Sequence, residues 1–292
     1  MKQLLILSGK GGTGKTTIAG AFIKLLKAKA YADCDVDAPN LHLISDFTAP
    51  PRRRDFYGLP VAEIDKDICI KCGSCFENCR FEAIDNKDGY LVEKFACEGC
   101  GVCEFVCPVG AAKLKPAAAG ELMLYKKQDE VFSTAQLKMG SGTSGLLVTD
   151  VKKQLKSEAK NSEIAIIDGS PGIGCPVIAS ITGVDMVLIV AEPSVSGISD
   201  MRRIIDTAAK FGVRIAVCIN KFDTNIKNTQ KIKNFCKESG ISYVGEIPFD
   251  KEAVKATNDG KTIVEIDSIS SRAVKLVYDK TITLLLEKSD DK

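Results

Sequence analysis

Eight of the twelve cysteines occur in two copies of one spacing, C-x2-C-x2-C-x3-C. The first copy comprises Cys69, Cys72, Cys75 and Cys79, and the second comprises Cys97, Cys100, Cys103 and Cys107. Residues 1–7 lack the long apolar run and small-residue cleavage site of a secretion signal, so we expect a reducing, cytoplasmic setting. There, closely spaced cysteines serve as metal ligands more often than as disulfides. The two motifs therefore predict metal binding.

This repeat, which ends in Pro108, resembles the bacterial ferredoxins that hold two 4Fe-4S clusters. In those proteins the fourth cysteine of each motif ligates the other cluster. The resemblance implies one cluster on Cys69, Cys72, Cys75 and Cys107, and another on Cys79, Cys97, Cys100 and Cys103. Arg80 stands where the ferredoxins usually have proline, so the first turn departs from their pattern. Structural zinc is the alternative, although zinc seldom uses this triplet.

A second motif lies near the N-terminus, between a predicted strand (2–7) and a predicted helix (16–27). The spacing G-x-x-x-x-G-K-[ST] is satisfied by Gly9, Gly14, Lys15 and Thr16. Its glycines allow successive N–H groups to point at phosphates, its lysine neutralises them, and its hydroxyl holds Mg²⁺. We therefore predict nucleotide binding by Gly11, Gly12, Thr13, Gly14, Lys15, Thr16 and Thr17.

The full run GKGGTGKTT, with Lys10 after Gly9, resembles the phosphate loop of the MinD, ParA, Mrp and nitrogenase iron protein family. In that family the early lysine reaches the nucleotide of the partner subunit. The resemblance implies that Lys10 and Lys15 are catalytic, and that the chain forms a nucleotide-dependent dimer with itself or a close relative. A solvated lysine is the alternative interpretation of Lys10.

Acidic residues follow two further predicted strands. Asp33, Asp35 and Asp37 alternate after residues 28–32 and would share one face if that strand continued. Three like charges so close are costly unless a cation lies among them. The resemblance implies that Asp35 orients the attacking water and that its neighbours, Asp33 among them, hold the Mg²⁺ shell. A solvated turn is the alternative.

The other predicted strand, 164–167, leads into Asp168 and GSPGIG, which resembles the second switch of the same family. An aspartate at the end of such a strand can hold Mg²⁺-bound water, and Gly172 can present an N–H to the γ-phosphate. These motifs contain no base stronger than a carboxylate. Hydrolysis is therefore expected to be slow and to rely on positioning and charge.

The base site is predicted from NKFD, which follows a predicted strand at 215–219, and from IPFD at 247–250. The resembling family reads adenine through the asparagine, which favours ATP and assigns Asn220, Lys221 and Pro248 to the base pocket. The tetrad also matches the guanine-reading motif of GTPases. Because of Asp223, GTP stays an alternative to ATP as the bound nucleotide.

Apolar runs at 164–167, 186–190, 215–219 and 241–247 alternate with helical patterns at 146–160, 197–211, 228–239 and 269–287. This alternation predicts an α/β fold with a doubly wound, mostly parallel sheet. The alternation stops where the eight cysteines fall. We therefore predict a P-loop domain at 1–60 and 118–292, with a small α+β bacterial-ferredoxin-like domain inserted at 61–117.

Charge and hydropathy exclude several functions. The chain has 40 basic and 38 acidic residues, and its net charge of +2 gives no field that would recruit nucleic acid or an anionic membrane. No apolar stretch has the ~20 residues of a membrane span. The tail EKSDDK has no amphipathic apolar face, so no stable membrane anchor is expected.

The motifs together resemble the MinD-superfamily ATPases that contain an inserted ferredoxin domain. The resemblance implies a Mg²⁺-dependent ATPase whose nucleotide state gates electron transfer, through two 4Fe-4S clusters, to or from a redox or metalloprotein partner. The alternative is a carrier or scaffold that delivers iron-sulfur clusters. Cys218 and Cys236 are predicted to be core residues. Cys175, seven residues after Asp168, resembles a cysteine that bridges nitrogenase iron protein subunits, but a second such cysteine is missing.

Overall fold

A computed structural model describes residues 1–45, 47–87 and 89–287. Contacts within the chain divide it into two units. The larger unit comprises Met1–Arg53, Leu122–Gln136 and the chain from Ser144 onward. The smaller unit comprises Arg54–Glu121 and Leu137–Thr143. The tail that was expected to lack an amphipathic face lies, from residue 288 on, outside the described residues.

The described strands, in chain order, are β1 (Lys2–Leu7), β2 (Ala30–Asp33), β3 (Arg52–Tyr57), β4 (Val61–Ile64), β5 (Ile84–Asp85), β6 (Leu91–Val92), β7 (Ala112–Lys115), β8 (Ala118–Lys127), β9 (Glu130–Leu137), β10 (Ile164–Asp168), β11 (Met186–Ala191), β12 (Arg214–Asn220) and β13 (Ser242–Ile247). The described α-helices are α1 (Lys15–Leu26), α2 (Ser74–Glu77), α3 (Val102–Phe105), α4 (Ser144–Glu158), α5 (Cys175–Ile181), α6 (Val195–Ala209), α7 (Ile226–Glu238), α8 (Lys251–Asn258) and α9 (Ile269–Leu286). Short 3-10 turns lie at 41–44, 222–224 and 263–265.

The main sheet has the order β13-β12-β11-β1-β10-β2-β9-β8-β3 among the described residues. β1 runs parallel to both of its neighbours, β10 and β11, and the parallel pairing continues to β13 on one side and to β9 on the other. The central strands are buried on both faces, as continuous apolar runs such as 186–191 indicate. The predicted mostly parallel α/β fold is confirmed.

Several of the helices that flank the sheet begin at side-chain caps that the sequence supplies. Ser194, Asn225 and Ser268 each accept a backbone N–H from the first turn of α6, α7 and α9, respectively. In the core, the rings of Phe22 on α1 and Tyr278 on α9 meet edge to face at 5.2 Å. Because β1, β2, β10, β11 and β12 run parallel, their carboxyl ends lie at one edge of the sheet, where ligands of such folds bind.

Two features of the main sheet differ from the sequence-based expectation. β2 ends at Asp33, and the chain turns at once, so the alternating aspartates do not share a strand face; Asp37 is exposed in the turn. The strands β8 and β9, joined by a two-residue turn, were not predicted. Their polar connection at 128–129 replaces the helix that separates parallel strands elsewhere.

The smaller unit has little regular structure. β4 pairs antiparallel with β7, β5 pairs antiparallel with β6, and α2 and α3 contain one turn each. Gly73 and Gly101 precede these turns at φ of 87° and 82°, a backbone region that other residues seldom adopt. The absence of longer helices at 61–116 agrees with the sequence for the residues described there. None of the described helices has the length and apolar character needed to cross a bilayer.

Candidate functional site

The loop between β1 and α1 has the geometry of a phosphate cradle. Gly12 and Gly14 have φ of 77° and 90°, and α1 begins at the next residue, Lys15. A Cβ at Gly14 would lie 2.3 Å from Nδ2 of Asn220, so this position excludes any side chain on both counts. The N-terminal N–H groups of α1 and the loop thus face the edge of the sheet where the predicted site residues meet.

Asp168, at the end of β10, binds both functional side chains of this loop. Its Oδ1 lies 2.5 Å from Nζ of Lys15, and its Oδ2 accepts a hydrogen bond from the Thr16 hydroxyl at 2.6 Å. Asp168 is fully buried and the Lys15 side chain is 6% exposed. Burial is the largest single effect and opposes the charge of Lys15, but the attraction of Asp168 together with that of Asp33 and Asp35 outweighs it and raises the lysine pKa. Lys15 therefore stays protonated.

Negative charge exceeds positive charge around this pair. Asp33 accepts backbone N–H groups from Asp35, Asn40 and Leu41 at 2.9–3.0 Å, which fixes the turn after β2. Burial and the charge of Asp168 nevertheless raise the pKa of Asp33 to about 7. Burial, with a further contribution from Asp168, also raises the pKa of Asp35. Three carboxylates around one ammonium give this part of the site an excess of negative charge, which a cation bound nearby would relieve.

The segment after Asp168 is bonded to β1 and to the turn after β2. Gly172, at φ 93°, donates its N–H to the Ser8 carbonyl at 3.0 Å, so this predicted phosphate donor has a partner within the chain. The Ser170 hydroxyl donates to the Cys34 carbonyl, and the Cys34 N–H donates to the Asp168 carbonyl. The two predicted switch segments are thus directly hydrogen bonded.

Lys152 on α4 fixes the far end of α5, the helix that follows the second switch. Its ammonium donates to the carbonyls of Ala179, Ser180 and Thr182, at 2.6–3.2 Å, where α5 ends. Burial lowers the lysine pKa. At the other end of α5, Cys175 is exposed and packs beside Gly145 in the first turn of α4.

Lys10 points to the end of β11 within its own chain. Its Nζ lies 2.7 Å from Glu192 and 3.4 Å from the Ser194 hydroxyl, and its side chain is 38% exposed. Glu192 also lies 3.6 Å from Nζ of Lys221. Sequence reasoning missed Glu192, although its place directly after a buried strand adjacent to β1 was a usable signal.

A cavity of about 230 Å³ opens beside the phosphate loop and is lined by Gly12, Gly14, Thr17, Asn220, Lys221 and Pro248, among others. Asn220 donates to the Thr13 carbonyl at 2.7 Å, and Lys221 donates to the Gly12 carbonyl at 2.9 Å. The predicted base-site residues therefore meet the predicted phosphate-site residues in one place. Gly11 has open space around its Cα.

Asp223 does not face this cavity as a free carboxylate. Its Oδ1 accepts the Phe249 N–H at 2.8 Å and so holds the loop that carries Pro248. The nearby Asp250 is also engaged, because its two oxygens accept the Glu252 N–H and the Ser270 hydroxyl. Neither carboxylate has both oxygens available to read the N–H groups of guanine.

In the smaller unit the eight motif cysteines line two separate cavities. The first cysteine cavity is lined by Cys69, Cys72, Cys75 and Cys107. The second cysteine cavity is lined by Cys79, Cys97, Cys100 and Cys103. Each cavity thus takes three cysteines from one motif and the last cysteine from the other.

The surroundings of several of these sulfurs suit negative charge, whereas burial raises the pKa of the Cys75 and Cys103 thiols. The N–H groups of Ala111, Ala83 and Ala62 donate to Sγ of Cys107, Cys79 and Cys97, respectively, at 3.2–3.4 Å. Backbone N–H groups, that of Ala112 first, lower the pKa of Cys107, and the Ser74 hydroxyl lowers that of Cys72. Among the described residues, no three cysteine, histidine or acidic side chains converge as the ligands of a single metal ion do. Zinc would need four sulfurs at about 2.3 Å.

Three of the four cysteines outside the two motifs are buried in the larger unit. Cys218 and Cys236 are buried in the larger unit, and burial raises the pKa of Cys218 to about 12 and that of Cys236 to about 11. Cys34 is buried between two aspartates, and burial raises its pKa to about 12. These three thiols are poorly reactive because their thiolates are disfavoured.

Comparison with known families identifies the larger unit's fold. The model of the CobQ/CobB/MinD/ParA nucleotide-binding domain matches residues 4–263. The chain belongs to this family. An uncharacterised protein of Methanocaldococcus jannaschii is 32% identical over 284 residues, which cover 95% of each chain. The septum site-determining protein MinD of Pyrococcus horikoshii, solved with Mg-ADP, aligns over 99% of each chain with a TM-score of 0.58 and 16% identity, a likeness of fold.

Two further proteins that are similar to this chain have names that refer to iron-sulfur proteins. An uncharacterised ferredoxin of Methanocaldococcus jannaschii is 28% identical over 127 residues, which cover 42% of this chain and 80% of the ferredoxin. A Pyrococcus abyssi protein named iron-sulfur cluster carrier protein is 24% identical over 312 residues, which cover 99% of this chain and 89% of the carrier. The expected MinD/ParA family membership is confirmed.

The raised aspartate pKa values predict a pH dependence. A carboxyl whose folded pKa lies above its unfolded value holds a proton that the unfolded chain releases, so stability falls as pH rises from about 4 to about 7. Without nucleotide, the melting temperature measured by circular dichroism should fall by about 2–4 °C more between pH 5.5 and 7.5 in the wild type than in Asp33→Asn. With Mg²⁺ and nucleotide present, the order of the two proteins should be reversed, so that the melting temperature falls less in the wild type than in Asp33→Asn. Equal pH slopes in the two proteins would contradict the charge excess.

The Asp223 contact predicts how the base site responds to mutation. Asp223→Ala frees the Phe249 N–H and should weaken ATP and GTP binding alike, by about threefold to tenfold, because the loop loses its anchor. Asp223→Asn keeps an acceptor oxygen and should bind nearly as the wild type. Isothermal titration with both nucleotides measures this. If either variant lost affinity for GTP alone, Asp223 would be a guanine reader.

Proposed function

We propose that this protein is an ATP-hydrolysing iron-sulfur protein whose nucleotide state gates electron transfer through two 4Fe-4S clusters to or from a partner protein. The observation that carries the proposal is the division of the eight cysteines into two cavities of four. That division has the crossed pattern that the resemblance to two-cluster ferredoxins implies. The ferredoxin relative from Methanocaldococcus jannaschii supports it.

The donor set fits the clusters. Cys69, Cys72, Cys75 and Cys107 would hold one, and Cys79, Cys97, Cys100 and Cys103 the other; when bound, such clusters supply one-electron redox chemistry. The chain's own contribution is to stabilise thiolate charge through the N–H groups of Ala111, Ala83 and Ala62. Apolar side chains such as Ile64 and Leu114 line the rest of the two cavities and limit water access.

The other half of the proposal assigns Mg-ATP to the site at the sheet edge. Phosphates would meet the N–H groups of residues 11–17 and of Gly172, while adenine would fit the cavity beside Asn220, Lys221 and Pro248. Thr16, Asp33, Asp35 and Asp168 would hold Mg²⁺ and its water, and Asp35 would orient the attacking water. Engagement of Asp223 by the Phe249 N–H favours ATP over GTP.

The gating part of the proposal is supported by the contacts that Lys15, Gly172 and Lys10 make within the chain, because a bound nucleotide would replace them. Phosphate would compete with Asp168 for Lys15 and with the Ser8 carbonyl for the Gly172 N–H. A partner subunit's nucleotide would compete with Glu192 for Lys10. Binding of ATP thus exchanges three sets of contacts at once, and the two switch segments move together because Ser170 and Cys34 are hydrogen bonded.

The second candidate is an iron-sulfur cluster carrier or scaffold. The Pyrococcus abyssi relative with that name favours it, since the alignment spans nearly the whole chain. The exposure of Cys72 and Cys100 also favours it, because a cluster on an exposed thiolate is open to ligand exchange with an acceptor. A carrier loses a cluster to an apo acceptor, whereas an electron carrier keeps both clusters and changes only its redox state.

The Lys10 contacts predict a separation of binding from hydrolysis. Lys10→Ala should keep ATP affinity within about threefold, since Lys15 and the loop remain. It should lower the hydrolysis rate at least about 100-fold, because a cation supplied across a dimer acts on the transition state. Phosphate release and isothermal titration measure the two effects. Lys153→Ala, an exposed lysine on α4, is the matched control. Unchanged turnover in Lys10→Ala would exclude the trans-acting role.

The decisive experiment is anaerobic purification with counts of iron and acid-labile sulfide, followed by EPR of the reduced protein with and without Mg-ATP. We expect about eight iron atoms per chain and a spectrum that changes with ATP. Cys100→Ser should lose about four iron atoms, whereas Cys236→Ser, a buried cysteine outside the motifs, should lose none. Iron well above eight that Cys175→Ser removes would indicate a cluster shared between subunits.

The nucleotide arm of this experiment has its own control. Lys15→Ala removes the phosphate-binding lysine, so the variant should keep its iron and lose the ATP effect on the EPR spectrum. A spectrum that ATP leaves unchanged in the wild type would argue against gating. Transfer of iron and sulfide from the purified protein to an apo-ferredoxin, faster with ATP, would favour the carrier.

A further inference from the structure

Phe105, the last residue of α3, is 91% exposed, more than any other aromatic side chain in the described part of the chain. Single exposed apolar residues are common on protein surfaces, so exposure alone assigns nothing. Phe105 differs because the smaller unit contains a second copy of the same cysteine motif. That copy shows which residue the turn needs at this position.

The two motifs place different residues at equivalent positions. α2 and α3 each begin one residue before the third cysteine of their motif, and they end at Glu77 and Phe105, respectively. In the first motif the aromatic residue is Phe76, whose ring packs against Tyr90 at 6.2 Å, and the outward position carries a charge. The turn therefore folds with a glutamate where Phe105 stands. An aromatic ring is not needed there for packing.

Charge also separates the two motifs. Over windows that extend three residues beyond each motif, residues 94–110 contain Lys94, Glu98 and Glu104, with a net charge of −1, whereas residues 66–82 contain Lys66, Lys71 and Arg80 beside three acids, with a net charge of zero. Both glutamates are exposed, and neither has an ion-pair partner among the described residues. Glu98 lines the second cysteine cavity together with Val102, from the turn that carries Glu104 and Phe105. We name Glu98, Glu104 and Phe105 the acidic-aromatic patch.

The patch lies on the backbone that joins the two cysteine cavities. Phe105 is two residues from Cys103, which lines the second cavity, and two residues from Cys107, which lines the first. A protein seated on Phe105 would therefore contact the chain next to ligands of both predicted clusters. Short distance between redox centres is the condition that electron transfer requires of a docking site.

We propose that the acidic-aromatic patch is the docking surface for the electron-transfer partner, a redox protein whose own docking face carries lysine or arginine around an apolar centre. The proposal rests on the proposed function. Phe105 supplies the apolar contact, and the two glutamates steer a basic face toward it. One electron passes across the contact, so that the donor is oxidised and the acceptor is reduced.

The test uses the full-length, cluster-loaded protein and a basic single-haem c-type cytochrome as the probe. The reduced protein is mixed with oxidised cytochrome in a stopped-flow instrument, and affinity is measured by isothermal titration at several salt concentrations. Phe105→Ser, Glu98→Gln and Glu104→Gln should each weaken binding and slow haem reduction by about threefold to tenfold. The two glutamine variants should also reduce the salt dependence.

Matched controls come from the same unit. Glu77→Gln removes an exposed glutamate from the equivalent turn, and Met139→Ser removes a side chain that is 92% exposed. Both should stay within about twofold of the wild type, since neither lies on the patch. Iron content and the visible spectrum are recorded for every variant. Wild-type protein without iron overturns the proposed function, whereas full iron with unaltered rates in the three patch variants overturns the docking surface alone.

Three further results would overturn the proposal. The first is equal affinity for an acidic flavoprotein and the basic cytochrome. The second is an effect of Glu77→Gln as large as that of Glu104→Gln. The third is conversion of a dimer to a monomer by Phe105→Ser, which would make a second copy of this chain the occupant. If Phe105→Ser loses iron, the ring has a structural role and Phe105 is not part of the docking surface. In that case, unaltered affinity in Glu98→Gln and Glu104→Gln would overturn the docking role of the two glutamates as well.

Discussion

The buried contact of Asp168 with Lys15 and Thr16 is the interaction on which the rest of the site depends. It joins the end of β10 to the start of α1, and it fixes the phosphate loop against the central strands. Leaving one partner of such a buried pair unpaired costs about 3–5 kcal/mol. If a phosphate binds Lys15, Asp168 therefore needs another cation close to it. In the proposed function, magnesium beside the bound phosphates would provide one, which would make nucleotide and metal binding interdependent.

Much of the larger unit could be predicted because its chemistry lies at strand ends. Asp33, Asp168 and Asn220 are the last residues of β2, β10 and β12, and each is a polar residue directly after a buried apolar run. A parallel sheet then brings them to one edge. Glu192 follows β11 in the same way, but no short motif marks it. Its contacts with Lys10 and Lys221 join residues far apart in sequence, and spacing alone does not reveal them.

The parts that could not be predicted depend on tertiary contacts or on local turns. Asp33 and Asp35 would have shared one face if the predicted strand had continued, yet the N–H groups of Asn40 and Leu41 bind the Asp33 carboxylate and turn the chain. Asp35 is brought near Lys15 by this turn. In the smaller unit, spacing located the cysteines, but spacing alone does not separate Cys79 from Cys107; the resemblance to two-cluster ferredoxins implied that separation, and the two cavities have the same pattern. If the cysteines hold clusters as proposed, a unit whose helices have one turn each would gain much of its order from ligation.

The three carbonyl contacts of Lys152 have a mechanical consequence. They hold the C-terminal end of α5, so a rearrangement of residues 169–174 cannot be absorbed there. If residues 169–174 rearrange, α5 would rotate about this fixed end, and the largest displacement would fall on Cys175 at the other end. There a Cβ on Gly145 would lie 3.3 Å from Cys175. A larger residue at position 145 would contact Cys175 and limit that displacement, whereas glycine leaves room for it.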